Sequence, residues 1–188
     1  DYWRDIPVDI YAPKKDIEKA KALFEKTYKM IEFFSRKLNY DFPWDKYSQI
    51  IVKNFVSGAM ENTGAVVFGD YVLSFNNEGE RRAYESVVAH ELVHHWFGDL
   101  VTCESWANLP LNEAFATYGE YLWIEHEYGR TAADIHLAND YNNYAFERFF
   151  KDENLIRFYH KHSDEMFDAH SYQKGSLILH MLRYTVGD

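Results

Sequence analysis

Two histidines four residues apart enclose a glutamate in the stretch "VVAHELVHHWFGDL", residues 87–100. On a helix, positions four apart lie one turn above each other on the same face, so His90 and His94 can direct two imidazole nitrogens at one metal ion. Glu91 lies to the side of the pair, where it can take a proton from water acidified by zinc, as in an HExxH motif. A histidine-rich core helix would contain the same letters, so the pair needs a third ligand.

A glutamate on the next predicted helix supplies that candidate ligand. Glu113 follows His94 after 18 intervening residues, in "PLNEAFATYGEYL". A catalytic zinc usually has three protein ligands and a water, so His90, His94 and Glu113 predict one Zn²⁺ per chain. Glu120, seven residues further along this helix face, is a candidate partner for the free N–H of one of the histidines. Its alternative is an ordinary surface carboxylate.

Two residues beside the motif are predicted to support the helix. His95 points about 100° away from His94 around the helix, so it is not a predicted ligand. We expect it to have a packing or hydrogen-bonding role. Asp99 is expected to end the helix or to orient a partner.

Hydrophobic periodicity predicts the elements that must position these residues. Strands are expected at "IPVDIYA", "YSQIIV" and, within residues 64–75, "GAVVFGDYVLSF". Residues 14–38 predict one long amphipathic helix, and four further helices are expected over residues 80–97, 108–128, 131–150 and 171–186. The predicted class is α+β, with a small strand-rich lobe (1–80) followed by a mainly helical lobe (81–188) in one domain.

Composition and charge exclude some classes of function. The 188 residues are 47% hydrophobic and 27% charged, which is typical of a globular domain with a sizeable core. A formal net charge of -10 argues against a nucleic-acid surface and favours cationic or amino-bearing ligands. The single cysteine excludes an internal disulfide but leaves the compartment open. No apolar run reaches the length of a transmembrane segment.

Two further stretches point to a particular family. "GAMENTG", residues 58–64, precedes the HExxH helix, and "SYQKGS", residues 171–176, follows it. Together with HExxH, 18 residues and a glutamate, these stretches resemble the gluzincin aminopeptidases of the aminopeptidase N and leukotriene-hydrolase group. The resemblance covers nearly the whole chain and corresponds to that family's catalytic domain. It implies a thermolysin-like (zincin) fold, one catalytic zinc, and removal of single residues from peptides with a free N-terminus.

The resemblance also implies catalytic roles for individual residues. Glu91 matches the general base and acid, and Tyr172 matches the donor to the oxyanion of the transition state. The residues that match the zinc ligands are His90, His94 and Glu113.

The same resemblance implies a substrate-binding segment. Glu61 matches the carboxylate that holds the free α-amine, a charge-assisted pairing that fixes the cut one residue from the N-terminus. Gly58, Ala59 and Met60 would run along the substrate backbone as an edge strand, a form of β-augmentation. Asn62 completes the implied substrate-binding residues.

Two positions depart from the usual pattern of the family. Pro110 stands where tryptophan is common, and Ala114 replaces the common glycine after the third ligand. The first departure could reshape the approach to the ligand helix, whereas the second adds one methyl group. Neither removes a catalytic group.

In the resembled family the catalytic domain lies between an N-terminal β-domain and a C-terminal helical domain. We therefore expect this chain to be a fragment of a longer multidomain protein, with those flanking domains and a peptide as its partners. The isolated fragment is expected to bind zinc with weak or no aminopeptidase activity.

Three other functions remain open at this point. A thermolysin-type endopeptidase shares HExxH and a downstream glutamate but has no reason to carry the amine-binding Glu61. An epoxide hydrolase activity occurs on the same zinc in one branch of the family. A non-catalytic, zinc-free binding module would require the site to have decayed.

Overall fold

The computed structural model describes all 188 residues and divides into two compact units. The first unit spans Asp1–Asp99 and contains a sheet and three helices. The second unit spans Leu100–Asp188 and is helical. This arrangement confirms the α+β class and assigns the HExxH helix to the first unit.

A five-stranded mixed sheet organises the first unit. In spatial order its strands are β1 (Tyr2–Trp3), β2 (Ile6–Tyr11), β3 (Tyr47–Val52), β5 (Ala65–Gly69) and β4 (Ala59–Met60). The central strands β2, β3 and β5 are parallel, whereas β1 and β4 run antiparallel to their neighbours. β4 therefore lies at an edge, where one side of a strand has no partner within the sheet.

Two helices replace the single long helix predicted over residues 14–38. They are α1 (Ile17–Phe24) and α2 (Thr27–Lys37). At the break, the Lys26 ammonium lies 3.7 Å from the buried Glu85 carboxylate, and the Thr27 hydroxyl donates to Gln49 of β3 at 2.8 Å. The prediction of one helix was wrong because these tertiary contacts stop the helix, and hydrophobic periodicity does not detect them.

The HExxH helix, α3 (Glu78–Val93), follows a segment that is extended only in its first half. After β5, residues Asp70–Leu73 form a 3₁₀ helix, so the strand predicted over 64–75 ends early. The side chain of Asn77 then caps α3 by accepting the Glu80 N–H at 3.0 Å.

The second unit contains three long helices that match predicted ones. They are α4 (Pro110–Tyr128), α5 (Arg130–Phe150) and α6 (Gly175–Val186). Gly129, with a φ of +85°, makes the reversal between α4 and α5. A π-helical turn, His170–Lys174, precedes α6 where the sequence predicted α-helix. None of the helices combines the length and apolarity needed to cross a membrane.

Candidate active site

The last two turns of α3 and its C-cap carry the HExxH side chains, and all three are buried. The Nε2 atoms of His90 and His94 lie 3.1 Å apart. Nδ1 of His94 lies 3.0 Å from the carbonyl oxygen of Phe97. A carbonyl oxygen only accepts, so this Nδ1 carries the proton and Nε2 of His94 directs its lone pair towards His90.

This imidazole pair fits a shared zinc ion. Two nitrogens about 2.0–2.1 Å from a tetrahedral zinc lie about 3.3–3.4 Å from each other. The observed 3.1 Å between the Nε2 atoms is close to that separation. In addition, a metal-binding histidine usually donates its other N–H to a carbonyl or carboxylate, as His94 does to Phe97.

The segment with the implied amine-binding glutamate lies beside this pair in the first unit. Oε1 of Glu61 is 3.8 Å from Nδ1 of His94, and the Glu61 side chain is only 17% exposed. At the start of the segment, the Gly69 N–H donates to the Gly58 carbonyl oxygen at 3.0 Å. The structure therefore brings a largely buried carboxylate to the HExxH helix.

The remaining residues of the implied substrate-binding segment form the edge of the sheet. Ala59 and Met60 make up β4 and pair with Phe68 and Val67 of β5. Asn62 is exposed and follows the strand. This edge strand has the geometry needed to pair with an extended peptide.

His95 connects this segment to α3, a role the sequence did not specify. Its ring is fully buried and stacks on Phe42, with 5.4 Å between ring centroids. Nε2 lies 3.0 Å from the Gly64 N–H, and Nδ1 lies 3.2 Å from the Glu91 carbonyl oxygen. Burial lowers the pKa of His95 to about 4, so the imidazole is neutral near pH 7. The prediction of a packing and hydrogen-bonding role is confirmed.

Asp99 adds a second acidic group near Glu61. Burial raises the pKa of Asp99 to about 6. The nearby Glu61 charge raises this pKa further, whereas the Thr63 hydroxyl group lowers it. Two carboxylates in one region make it electronegative, which suits a cationic group.

Glu113 lies in the first turn of α4, in the second unit, and is buried. Pro110 is the first residue of α4, a position where proline's missing N–H is not needed for the helix. The departure from tryptophan therefore suits the start of this helix. The position near the helix N-terminus also favours the negative charge of Glu113.

Tyr172 lies on the π-helical turn of the second unit, which packs closely against α4. The Tyr172 N–H donates to the Asp168 carbonyl oxygen at 3.2 Å. A Cβ added to Gly175 would lie 2.4 Å from the Cβ of Ala114, the residue after Glu113. Glycine is therefore required at position 175 for this approach.

A buried arginine stabilises the π-helical turn that carries Tyr172. Arg157 donates to both carboxylate oxygens of Asp168, at 2.6 and 2.8 Å, and to the Ser171 hydroxyl at 2.9 Å. The Asp168 carboxylate also accepts the N–H groups of His170 and Ser171, each at 3.1 Å. This network fixes the backbone that carries Tyr172. The sequence alone did not reveal this network, because nothing in the spacing of these residues marks them as partners.

His170 also belongs to a second group of metal-type donors, with Glu147 and Asp168. Asp168 is already saturated by Arg157 and two N–H groups, and Lys151 adds a further donor at 2.7 Å. Arg157 and Lys151 already offset the negative charge of Asp168, so a metal cation would gain little from this carboxylate. We interpret this group as structural support for the Tyr172 turn.

Glu120 has a neighbour on the adjacent helix of its own unit. Its Oε2 lies 3.5 Å from Nε2 of His136 on α5. The expectation that Glu120 supports a metal-binding histidine remains a prediction.

Comparison with known proteins identifies the family. Residues 22–188 match the peptidase family M1 domain. The chain is 31% identical to endoplasmic reticulum aminopeptidase 2 of Bos taurus over 95% of its length. It is 43% identical to aminopeptidase N of Streptomyces lividans over 62%, and 37% identical to a probable aminopeptidase 1 of Saccharolobus solfataricus over 85%. It spans only 19%, 14% and 21% of these relatives' lengths. Because the family match extends over most of its residues, the chain belongs to peptidase family M1.

Proposed function

We propose that this chain carries the catalytic site of a zinc aminopeptidase that removes single residues from peptides with a free N-terminus. The observation that carries the proposal is the carboxylate of Glu61, which directly follows the edge strand β4 and lies 3.8 Å from Nδ1 of His94 in the HExxH motif. Several relatives in the same family are named aminopeptidases, which supports it.

His90, His94 and Glu113 would hold the zinc ion. The two Nε2 atoms have the spacing that metal ligands need, His94 directs the lone pair of its Nε2 towards His90, and Glu113 offers a buried carboxylate oxygen. When bound, zinc supplies Lewis acidity, which lowers the pKa of a water and polarises a carbonyl group.

Glu91 and Tyr172 would then perform the proton transfer and the charge stabilisation. Glu91 takes the proton of the attacking water and later passes it to the leaving amine, so one carboxylate serves as base and acid. The Tyr172 hydroxyl donates a hydrogen bond to the oxygen of the scissile carbonyl as that oxygen becomes negative.

Glu61 would set the position of the cut. A carboxylate that is mostly withdrawn from water pairs strongly with the ammonium group of a peptide N-terminus. β4 can pair with the peptide backbone that follows this ammonium group. The scissile bond is then the first one after the N-terminal residue, which makes the enzyme an exopeptidase.

The full-length protein provides the direct test. We expect mass spectrometry to find one zinc per chain, and a peptide to be shortened one residue at a time, while its N-acetylated copy stays intact. Internal cleavage of the acetylated copy would instead indicate an endopeptidase, and turnover of epoxides alone an epoxide hydrolase. A protein that does not take up zinc would be a non-catalytic module and would contradict the proposal.

Replacing the general base separates chemistry from metal binding. For Glu91→Ala we expect zinc to be retained and turnover of alanyl-nitroanilide to fall by about 10²–10⁴, the usual contribution of a general base. Turnover near that of the wild type would rule out Glu91 as the base.

Replacing the amine-binding carboxylate should act mainly on substrate binding. For Glu61→Ala we expect KM to rise by about a hundredfold, because a charge-assisted contact of about 1.5–3 kcal/mol is lost. The preference for free over acetylated peptides should also disappear. An unchanged preference would refute the role of Glu61.

A further inference from the structure

We propose that His95 is a positioning residue that holds the amine-binding segment, Gly58–Gly64, against the HExxH helix. The inference rests on the proposed function of Glu61, the central residue of that segment. His95 need not touch substrate. It would act by fixing where the Glu61 carboxylate lies relative to Glu91.

The connection is a hydrogen bond from the Gly64 backbone to the His95 ring. Nδ1 of His95 faces the Glu91 carbonyl oxygen at 3.2 Å, and because that oxygen can only accept, Nδ1 carries the proton. Nε2 of the neutral ring is then an acceptor, and the Gly64 N–H donates to it at 3.0 Å. One imidazole therefore joins the end of the segment to the backbone of the proposed general base.

The His95 ring can hold the segment firmly because its own orientation is fixed. It stacks on Phe42 at 5.4 Å and meets the Tyr47 ring edge-on at 5.0 Å between centroids. The indole N–H of Trp44 donates to the His95 carbonyl oxygen at 3.1 Å. A fully buried ring that packs against two aromatic side chains has little room to change its rotamer.

Gly64 joins the fixed His95 ring to the amine-binding segment. Its φ of +67° is a conformation that glycine adopts without strain, and its carbonyl oxygen accepts the Ser48 N–H of β3 at 3.0 Å. The peptide groups of Gly64 are therefore bound on one side to the helix and on the other to the sheet. Glu61 lies three residues before this fixed point.

Loss of the His95 connection should change substrate binding more than the chemical step. The residues His90, Glu91 and His94 lie on α3 and its cap, so their mutual geometry does not depend on Gly64. The segment, in contrast, would gain freedom, and the amine would meet a carboxylate that is no longer pre-positioned.

The test uses the full-length protein with the variants His95→Phe and His95→Gln. Phenylalanine keeps the aromatic packing but offers no acceptor to the Gly64 N–H, whereas the glutamine carbonyl oxygen can accept it. For His95→Phe we expect KM for alanyl-nitroanilide to rise about tenfold, with kcat within about threefold and zinc content unchanged. His95→Gln should restore most of the lost KM. A KM that is unchanged in His95→Phe, or kcat and KM changes that glutamine does not rescue, would overturn the positioning role.

Hydrogen-exchange mass spectrometry of the peptide spanning Gly64 separates this inference from the proposed function. We expect faster exchange at Gly64 in His95→Phe, and protection close to that of the wild type in His95→Gln. If Glu61→Ala shows normal kinetics, the amine-binding role of Glu61 fails, yet exchange at Gly64 still tests the connection. Unchanged exchange in His95→Phe overturns the connection itself.

Thermal unfolding of both variants guards against loss of folding in His95→Phe. If that variant does not fold, exchange at Gly64 in His95→Gln still tests the connection. We expect protection close to that of the wild type in His95→Gln, and exchange at the rate of an unprotected amide would overturn the role of the ring as acceptor.

Discussion

Two short segments carry the proposed substrate-contacting groups, and the two units support them with different electrostatics. In the second unit, Asp168 holds the Tyr172 turn and accepts hydrogen bonds from Arg157 and Lys151. In the first unit, Asp99 lies near Glu61 of the amine-binding segment and has one buried oxygen without a hydrogen-bond partner.

The difference appears in the pKa values of Asp168 and Asp99, which shift in opposite directions. Burial acts to raise the pKa of Asp168, but hydrogen bonds from Arg157 and Lys151 outweigh it and hold that pKa below its usual value. Burial and the nearby Glu61 charge raise the pKa of Asp99 to about 6, and the Thr63 hydroxyl group and His94 offset that rise only in part. The Tyr172 turn is thus a charge-compensated structure, whereas the amine-binding segment is an acidic one, as recognition of an ammonium group requires.

The largest effect is expected from breaking the charge compensation in the second unit. Arg157→Met leaves the buried Asp168 carboxylate without its main partner, so the free energy of local opening over residues 168–174 should fall by about 3–5 kcal/mol. Hydrogen exchange across the Tyr172 turn measures this loss, and kcat should fall with it. Arg157→Lys keeps the charge but not the paired geometry, so its free energy of local opening should lie between those of Arg157→Met and the wild type. If hydrogen exchange in Arg157→Met is identical to that of the wild type, Arg157 does not stabilise the Tyr172 turn by compensating the Asp168 charge.

The next largest effect is a loss of stability when a methyl group is added to a glycine in or beside each segment. Gly175→Ala places a methyl group 2.4 Å from the Ala114 Cβ, an overlap that should destabilise the protein by about 1–3 kcal/mol. Gly58→Ala is the matched control, because its new Cβ meets only the Tyr71 hydroxyl, at 3.2 Å, and Tyr71 is exposed enough to move. Its effect should stay within about 0.5 kcal/mol. Thermal unfolding of the two variants compares them, and equal melting temperatures would contradict the difference in packing.

The smallest effect is a pair of opposite pH dependences, best measured by hydrogen exchange on metal-free protein. The folded pKa of Asp168 is depressed, so its stabilisation is complete above the unfolded value of about 3.9 and is lost as pH falls through the folded value. The folded pKa of Asp99 is raised, so stability at Gly64 should be highest below about 3.9 and decrease as pH rises to about 6.

The substitutions Asp168→Asn and Asp99→Asn should each flatten only the dependence of their own segment. After correction for the intrinsic exchange rate, the same sign of pH dependence in both segments would show that the two carboxylates do not differ as described.

Local sequence predicted the fold well where one element is stabilised by its own pattern. The helices that became α3, α4 and α5 were expected within a few residues of their observed bounds, because their apolar residues recur at helical spacing. The break near Lys26 was not predicted, since it coincides with a contact to Glu85, 59 residues further along the chain. The early end of β5, where Asp70–Leu73 form a 3₁₀ helix, was not predicted either.

The amino-acid sequence by itself determined the HExxH pair, the downstream glutamate and the family, because a spacing of four residues on a helix sets the geometry of His90 and His94 wherever that helix lies. Only the tertiary structure decided how Glu61 and Tyr172 are supported. His95 and Gly64 are 31 residues apart in the chain, and Arg157 and Asp168 are 11 apart. Such pairs form through packing and burial of several elements at once, and no periodic pattern in the sequence records them.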